Sequence, residues 1–167
     1  QFGMDSFISA VSELIAEENS IHLSFVGNVD PALAKELKSK IPGVEFKGYV
    51  SHKESIAFAA KADLLLLVIP EGENQGTIPG KTFEYLSTQN PILCLTPPNG
   101  NAARIIEECE AGIGIEHHDK ERMKKYITDL YLKWKKNESV KVNNTNFKKY
   151  SRKETTRQLA EIISNFK

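Results

Sequence analysis

Between Phe7 and Glu116 the apolar residues change their spacing again and again, and that alternation limits the chain to one fold class. Phe7, Ile8, Val11, Leu14 and Ile15 recur at helical spacing, so residues 5–18 read as an amphipathic helix. Ile21–Val26 is a short apolar run closed by Gly27-Asn28, a strand and its turn. Asp30 then caps a helix with Pro31 at its first position, running to about Lys40. Val44–Lys47 is a second strand ending at Gly48. Ser51 with Glu54 forms a capping box for a helix from His52 to Lys61. The pattern repeats: a strand over Leu64–Ile69, a polar loop from Pro70 to Ile78, a helix opened by Pro79 and reaching Thr88, a strand over Ile92–Leu95. Asn101 caps a helix to about Glu110, Ile113–Glu116 is a short last strand, and helices near 119–136 and 149–165 end the chain. Leu64–Ile69 has no polar residue at all, the mark of a strand buried on both faces.

Strands alternating with helices imply right-handed crossovers and a mostly parallel sheet. The expected fold is therefore a doubly wound, Rossmann-like α/β domain. Its sheet would have about five strands flanked by helices, with the C-terminal helices packing on one side. At 167 residues this is one domain, and 40% apolar with 26% charged residues is a globular composition. The longest apolar run, Leu64–Ile69, falls far short of the roughly 20 residues that span a bilayer. No basic segment followed by an apolar one opens the chain, so no signal peptide is expected, and a start at Gln1 reads as a fragment or processed product. Cys94 and Cys109 form no metal or redox motif, which makes a reducing, cytoplasmic location the default.

Charge divides the chain sharply. Residues 1–116 carry 8 Lys and Arg against 16 Asp and Glu, a net of −8, whereas residues 117–167 carry 14 against 6, a net of +8. Such a tail is a solvated helix face or a surface for an anionic partner. The last helix, with Tyr150, Arg152, Lys153 and Arg157, is a candidate for contact with the inner membrane face or a partner domain. Aromatic residues are not interleaved with the basic ones as base stacking requires, so no nucleic acid is expected.

In doubly wound sheets ligands bind beyond the carboxyl ends of the strands, here loops 27–30, 48–52, 70–79 and 96–101. The richest is the run Gly76-Thr77-Ile78-Pro79-Gly80-Lys81-Thr82-Phe83-Glu84-Tyr85-Leu86. A helix start offers unpaired N–H groups and the positive end of its dipole; Gly80 admits an anion close to the backbone, and Lys81 adds a full charge. Glu84, one turn on, is placed to accept two hydrogen bonds from adjacent hydroxyls such as those of a ribose. Phe83 and Leu86 would face the sheet. The same residues also read as a plain surface helix with an i, i+3 Lys81–Glu84 pair. Loop 96–101 with Arg104 is either a second anion contact or a turn and N-cap. His22, His52, His117 and His118 lack metal-ligand spacing and read as surface or capping residues. Hydrolase chemistry lacks its Gly-x-Ser-x-Gly elbow, and Gly27-Asn28-Val29-Asp30 has one glycine where a dinucleotide fingerprint needs three.

The run Pro79-Gly80-Lys81-Thr82-Phe83-Glu84-Tyr85-Leu86-Ser87-Thr88-Gln89-Asn90-Pro91-Ile92-Leu93 resembles glycosyltransferases of the GT-B fold, family 4 (group 1) type, at their C-terminal nucleotide-sugar-binding domain. Phe46–His52, Ala62–Leu67 and Ala111–Gly114 resemble that domain's neighbouring stretches in the same order. The resemblance implies transfer of a sugar from a nucleotide diphosphate sugar to a glycan or lipid-linked acceptor, retaining and metal-independent, as in polysaccharide biosynthesis. The donor is a substrate, and no resident cofactor is implied. Glu84 would hold the ribose hydroxyls; Thr77, Ile78, Gly80, Lys81 and Thr82 would line the diphosphate and sugar end; Tyr49 and Val50 would lie by the base. The resemblance names no catalytic residue here. Its second glutamate, eight residues before Glu84, is Gly76, with Glu71 and Glu73 nearby at the wrong spacing. The family's Arg and Lys on the diphosphate follow a first, central strand that would precede residue 1. Its loss would leave a slot that Gln1–Met4 fills in part, that self-association fills, or that a different sheet order removes. The N-terminal acceptor domain would be absent too. The rival reading is a non-catalytic nucleotide-binding or protein-interaction module of flavodoxin-like topology.

Overall fold

The structure is a computed structural model describing residues 3–18 and 20–165. Helix α1 (Asp5–Glu17) buries one stripe, Phe7, Ile8, Ala10, Val11 and Leu14. Local chemistry fixes the next two helices. The Asp30 carboxylate accepts from the N–H groups of Ala32 at 2.9 Å and Leu33 at 3.1 Å, with Pro31 opening α2 (Pro31–Lys40). At α3 (His52–Lys61) the Glu54 N–H donates to Ser51 Oγ, and the Ser51 N–H donates back to the Glu54 carboxylate. Next along the chain come α4 (Lys81–Ser87), α5 (Asn101–Glu108) and α6 (Lys120–Lys135), the last capped by Asp119. A 3-10 turn (Thr145–Tyr150) leads to α7 (Arg152–Ser164), so the helix expected over 149–165 begins with a tighter turn.

Among the described residues five strands lie between these helices: β1 (Ser24–Phe25), β2 (Glu45–Phe46), β3 (Leu65–Val68), β4 (Ile92–Leu95) and β5 (Gly112–Ile115). All their pairings are parallel, as doubly wound strand–helix alternation requires. The expected single sheet of about five strands is corrected: β1 pairs with β2 in one sheet, and β3-β4-β5 form another. Among the described residues no backbone hydrogen bond joins β1 to β3, and that missing ladder divides the sheet. The division also moves the fully covered strand. β4 is buried at all four positions, whereas in β3 only Leu65 and Leu67 are buried and Leu66 and Val68 are half-buried.

Two apolar clusters flank β4. Leu93 and Leu95 join the α1 stripe with Leu37, Ile41, Met123 and Ile127, while β1, β2 and β3 reach the same cluster through Phe25, Phe46, Leu66 and Val68. Ile92 and Cys94 point the other way, to Leu86, Ala102, Ile105 and Ile106. Gly112 permits the close pairing on β4, since a Cβ there would lie 1.9 Å from the Ile92 carbonyl oxygen. The C-terminal segments do not share one side. Helix α6 packs on α1 in the first cluster, and Val142, Phe147 and Tyr150 pack in the second. The strand alternation of β4 separates them, because its two faces point to opposite layers.

Candidate functional site

Loop 70–80 leaves β3 and is stitched before it reaches α4. The N–H of Gly76 donates to Asn74 Oδ1 at 2.7 Å, the N–H of Thr77 to the Asn74 carbonyl at 2.9 Å, and Thr77 Oγ1 to Glu73 at 3.3 Å. The Asn101 N–H holds the loop to the start of α5 through the Gln75 carbonyl at 2.7 Å. Helix α4 begins at Lys81, two residues after Pro79. Its first turn is tight, with the Thr82 N–H on the Pro79 carbonyl at 3.0 Å and the Phe83 N–H on the Gly80 carbonyl at 3.2 Å. Among the described residues the N–H groups of Gly80 and Lys81 have no acceptor. The cradle is therefore narrower than a whole open helix turn. A Cβ on Gly80 would meet nothing within 4 Å, so this glycine faces open space.

Lys81 is exposed and makes no ion pair among the described residues, so the Lys81–Glu84 pair of the plain-helix reading does not form. Glu84 is half-buried, and His52 Nε2 lies 4.0 Å from its carboxylate. His52 opens α3 two residues after Val50, which brings the loop beyond β2 beside α4, from one sheet to the other. Tyr49 is 83% exposed and Val50 half-buried. Ile78 and Thr77 sit at the exposed mouth of the loop, although the Thr77 hydroxyl is engaged by Glu73. Burial first, then the Glu84 carboxylate, push the Tyr85 phenol up.

Thr82 stands apart. Its side chain is fully buried and its hydroxyl has no partner, so it presents neither its Oγ nor its N–H at the mouth of the helix. Phe83, expected on the sheet, is 38% exposed and packs on Tyr150 with ring centroids 5.8 Å apart, while Leu86 faces inward as expected. Loop 96–101 is a turn: Asn99 is in the left-handed region at φ 57°, Gly100 is the N-cap, and Arg104 leans to Asn101 at 3.5 Å.

Sequence reasoning passed over two histidines. His52 read as a lone capping residue, and its approach to Glu84 is a tertiary contact with no local signal. His117 is buried, not superficial; its Nδ1 lies 2.8 Å from the Gly3 carbonyl and carries the proton of that bond, while Nε2 has no partner. Nearby Glu71, His118 and Thr96 line a cavity of about 210 Å³. Among the described residues no group of three His, Cys, Asp or Glu side chains could hold a metal ion.

A family model described as "Glycosyl transferases group 1" matches residues 1–133. No curated protein sequence matches the chain. Among solved structures, the fold is similar to that of pneumococcal O-GlcNAc transferase GtfA, crystallised in complex with UDP and GlcNAc. The TM-score is 0.62 at 16% sequence identity, and the match covers 96% of this chain and 32% of GtfA. The chain thus spans about a third of the length of that relative.

Proposed function

Since the chain belongs to the group 1 glycosyl transferases, we propose that it is the donor half of such an enzyme. It would hold a nucleotide diphosphate sugar against α4 while the sugar passes to a glycan or lipid-linked acceptor. One observation carries the reading: an unpaired Lys81 with two free N–H groups beside it lies one helical turn from a half-buried Glu84, next to the loop of Tyr49 and Val50.

In this reading the Glu84 carboxylate accepts from both ribose hydroxyls, and Tyr49 and Val50 lie along the base. Thr77, Ile78 and Gly80 border the diphosphate and sugar end, with Thr82 supporting them from beneath by packing. Negative charge building on the departing diphosphate meets the Lys81 ammonium and the N–H groups of Gly80 and Lys81. Fixed charges and dipoles of that kind lower a transition state by preorganisation. Metal independence and retention at the anomeric carbon are part of the same proposal, as is action at the cytoplasmic side of a membrane. No described helix is long and apolar enough to cross one. The acceptor site belongs to another part of the protein, so sugar transfer by these 167 residues alone is not expected.

Calorimetric titration with UDP and with GDP tests the reading. UDP is tried first because GtfA was solved with it. One nucleotide is expected to bind saturably, and Glu84→Gln to weaken it by roughly 10-fold or more, as a hydrogen bond to a charged group is worth about 1.5–3 kcal/mol. Lys81→Ala should weaken the diphosphate and leave the free nucleoside unchanged. Equal affinity in wild type and Glu84→Gln would overturn the assignment and favour an interaction module, which has no use for that charge.

A further inference from the structure

Helix α4 is too short to hold its own place. It has seven residues and buries two of them, Thr82 and Leu86. Isolated helices shorter than about 12–15 residues are marginal in water, so tertiary contacts must fix it. Its carboxyl end is finished in two ways. Ser87 Oγ donates to the Glu84 carbonyl at 2.6 Å and Thr88 Oγ1 to the Tyr85 carbonyl at 2.7 Å, which is local chemistry. The carbonyls of Leu86 and Gln89 take their donors from far along the chain, Asn144 Nδ2 at 2.6 Å and the Val142 N–H at 3.0 Å. Val142, Phe147 and Tyr150 pack in the cluster that holds Leu86, and the Tyr150 ring meets that of Phe83.

The same segment reaches α3. Lys141 Nζ donates to Asn90 Oδ1, just past α4, and to the Ala60 carbonyl at 3.4 Å, while Asn90 Nδ2 donates to the Ala59 carbonyl at 2.7 Å. These bonds meet at the far ends of the two helices whose near ends carry the site. Tyr49 and Val50 lead into α3, and Gly80 and Lys81 into α4. Little else ties α3 down: it buries none of its residues, and among the described residues no backbone hydrogen bond joins β1 to β3. At a rise of 1.5 Å per residue α4 is about 10 Å long, so a tilt at Leu86 carries Lys81 with it.

We propose that residues 141–150 are a strap that positions the nucleotide site, with Lys141 and Asn144 as positioning residues, a role that rests on the donor reading of α4. Both side chains act from the carboxyl end of the helix and set how Lys81 and Glu84 lie against the loop of Tyr49 and Val50. Asn144 is fully buried and its Oδ1 has no partner. A half-satisfied buried amide is a poorer filler than an apolar side chain, so its use here is the one bond it donates. The strap lies beyond residues 1–133, the stretch that the family model matches.

Amide exchange and calorimetry on the 167-residue chain test it together. Lys141→Met keeps the stem and removes the ammonium; Asn144→Leu keeps the bulk and removes the donor. In the free chain each is expected to speed exchange of the Tyr85, Leu86 and Ser87 amides roughly 10-fold and to leave those of β4 unchanged, a local loosening. A site aligned for only part of the time binds more weakly in proportion. With UDP or GDP, whichever the wild type binds, each variant should lose roughly fivefold in affinity well below its Tm, where the unfolded fraction is negligible. Lys141→Arg, which keeps a donor, should restore it. Affinity equal to wild type, with or without faster α4 exchange, would reduce the strap to a structural support and overturn the proposal. A loss of affinity accompanied by equally faster exchange in β4 would mark general destabilisation and overturn it as well. Where the wild type binds neither nucleotide, the donor reading falls and the strap's role falls with it. Where Asn144→Leu does not stay folded, Lys141→Met decides, because Lys141 is exposed.

Discussion

Thr82 directly follows the Gly80–Lys81 pair, and the family resemblance implies a place for it along the diphosphate. The fold turns it under the helix, where its oxygen is buried without a partner. Leaving such a group unsatisfied costs about 1–3 kcal/mol. Thr82→Val keeps the shape and removes the stranded oxygen. It is expected to raise the unfolding free energy by about 1 kcal/mol in denaturant titration and to leave nucleotide affinity within roughly twofold. A tenfold loss of affinity with no gain in stability would mean that the hydroxyl turns outward to the ligand. Asn90 is also fully buried but is satisfied, donating to the Ala59 carbonyl at 2.7 Å and accepting from Lys141. Nothing in the residues beside Thr82 or beside Asn90 distinguishes the two cases. Whether a buried polar side chain finds a partner depends on residues 31 and 51 positions away.

At the scale of elements, the basic tail already has its counterpart inside the molecule. Lys120 and Lys124 of α6 meet Glu13, Lys124 also meets Glu17 at 3.0 Å, and Lys135 and the Tyr131 hydroxyl meet Glu18 at 3.3 Å and 2.7 Å. Lys120 first and Lys124 second hold the Glu13 carboxyl below its ordinary value of 4.5; Tyr131 first, then Lys135, do the same for Glu18. Lys124 and Lys135 are raised from 10.5, chiefly by Glu17 and by Glu18. A depressed carboxyl stabilises the fold above pH 4.5 and loses that contribution as pH falls through its folded value. A raised ammonium stabilises below pH 10.5 and loses its share as pH rises through its own folded value. The Tm is therefore expected to be level between these limits and to fall on the acid side. The fall should be shallower in a Glu13→Gln, Glu18→Gln double variant, and both proteins should converge in 1 M salt, where the Debye length is about 3 Å. An equally steep acid limb in the variant would place the loss in other carboxylates. Elements of this kind differ in how far they could be read from sequence. The caps Asp30 and Ser51 were legible because a cap is chemistry among four neighbouring residues. The role of Asn144 is distant and has no such local signal: its amide donates to the Leu86 carbonyl at 2.6 Å and straps the chain beneath α4.

Across the whole molecule, burial is uneven in a way that strand and helix boundaries do not reveal. β4 is buried at every position and α5 buries Ala102, Ala103, Ile105 and Ile106, whereas α2 buries Leu37 alone and α3 buries nothing. The sequence specifies α3 as clearly as any helix, with a full capping box and Lys61 in its last turn. A cap contributes about 1 kcal/mol, while each fully buried large apolar side chain contributes about 1.5–3 kcal/mol. Packing therefore decides the order of opening, and the chain from β1 to α3 should open below the global unfolding free energy. Native-state exchange over a denaturant series is expected to place α3 and β2 amides in the earliest unit, and β4 and α5 in the last. If α3 instead exchanges with β4 in the 167-residue chain, the two sheets unfold as one body. The break between β1 and β3 would then be a gap in hydrogen bonding with no weakness behind it.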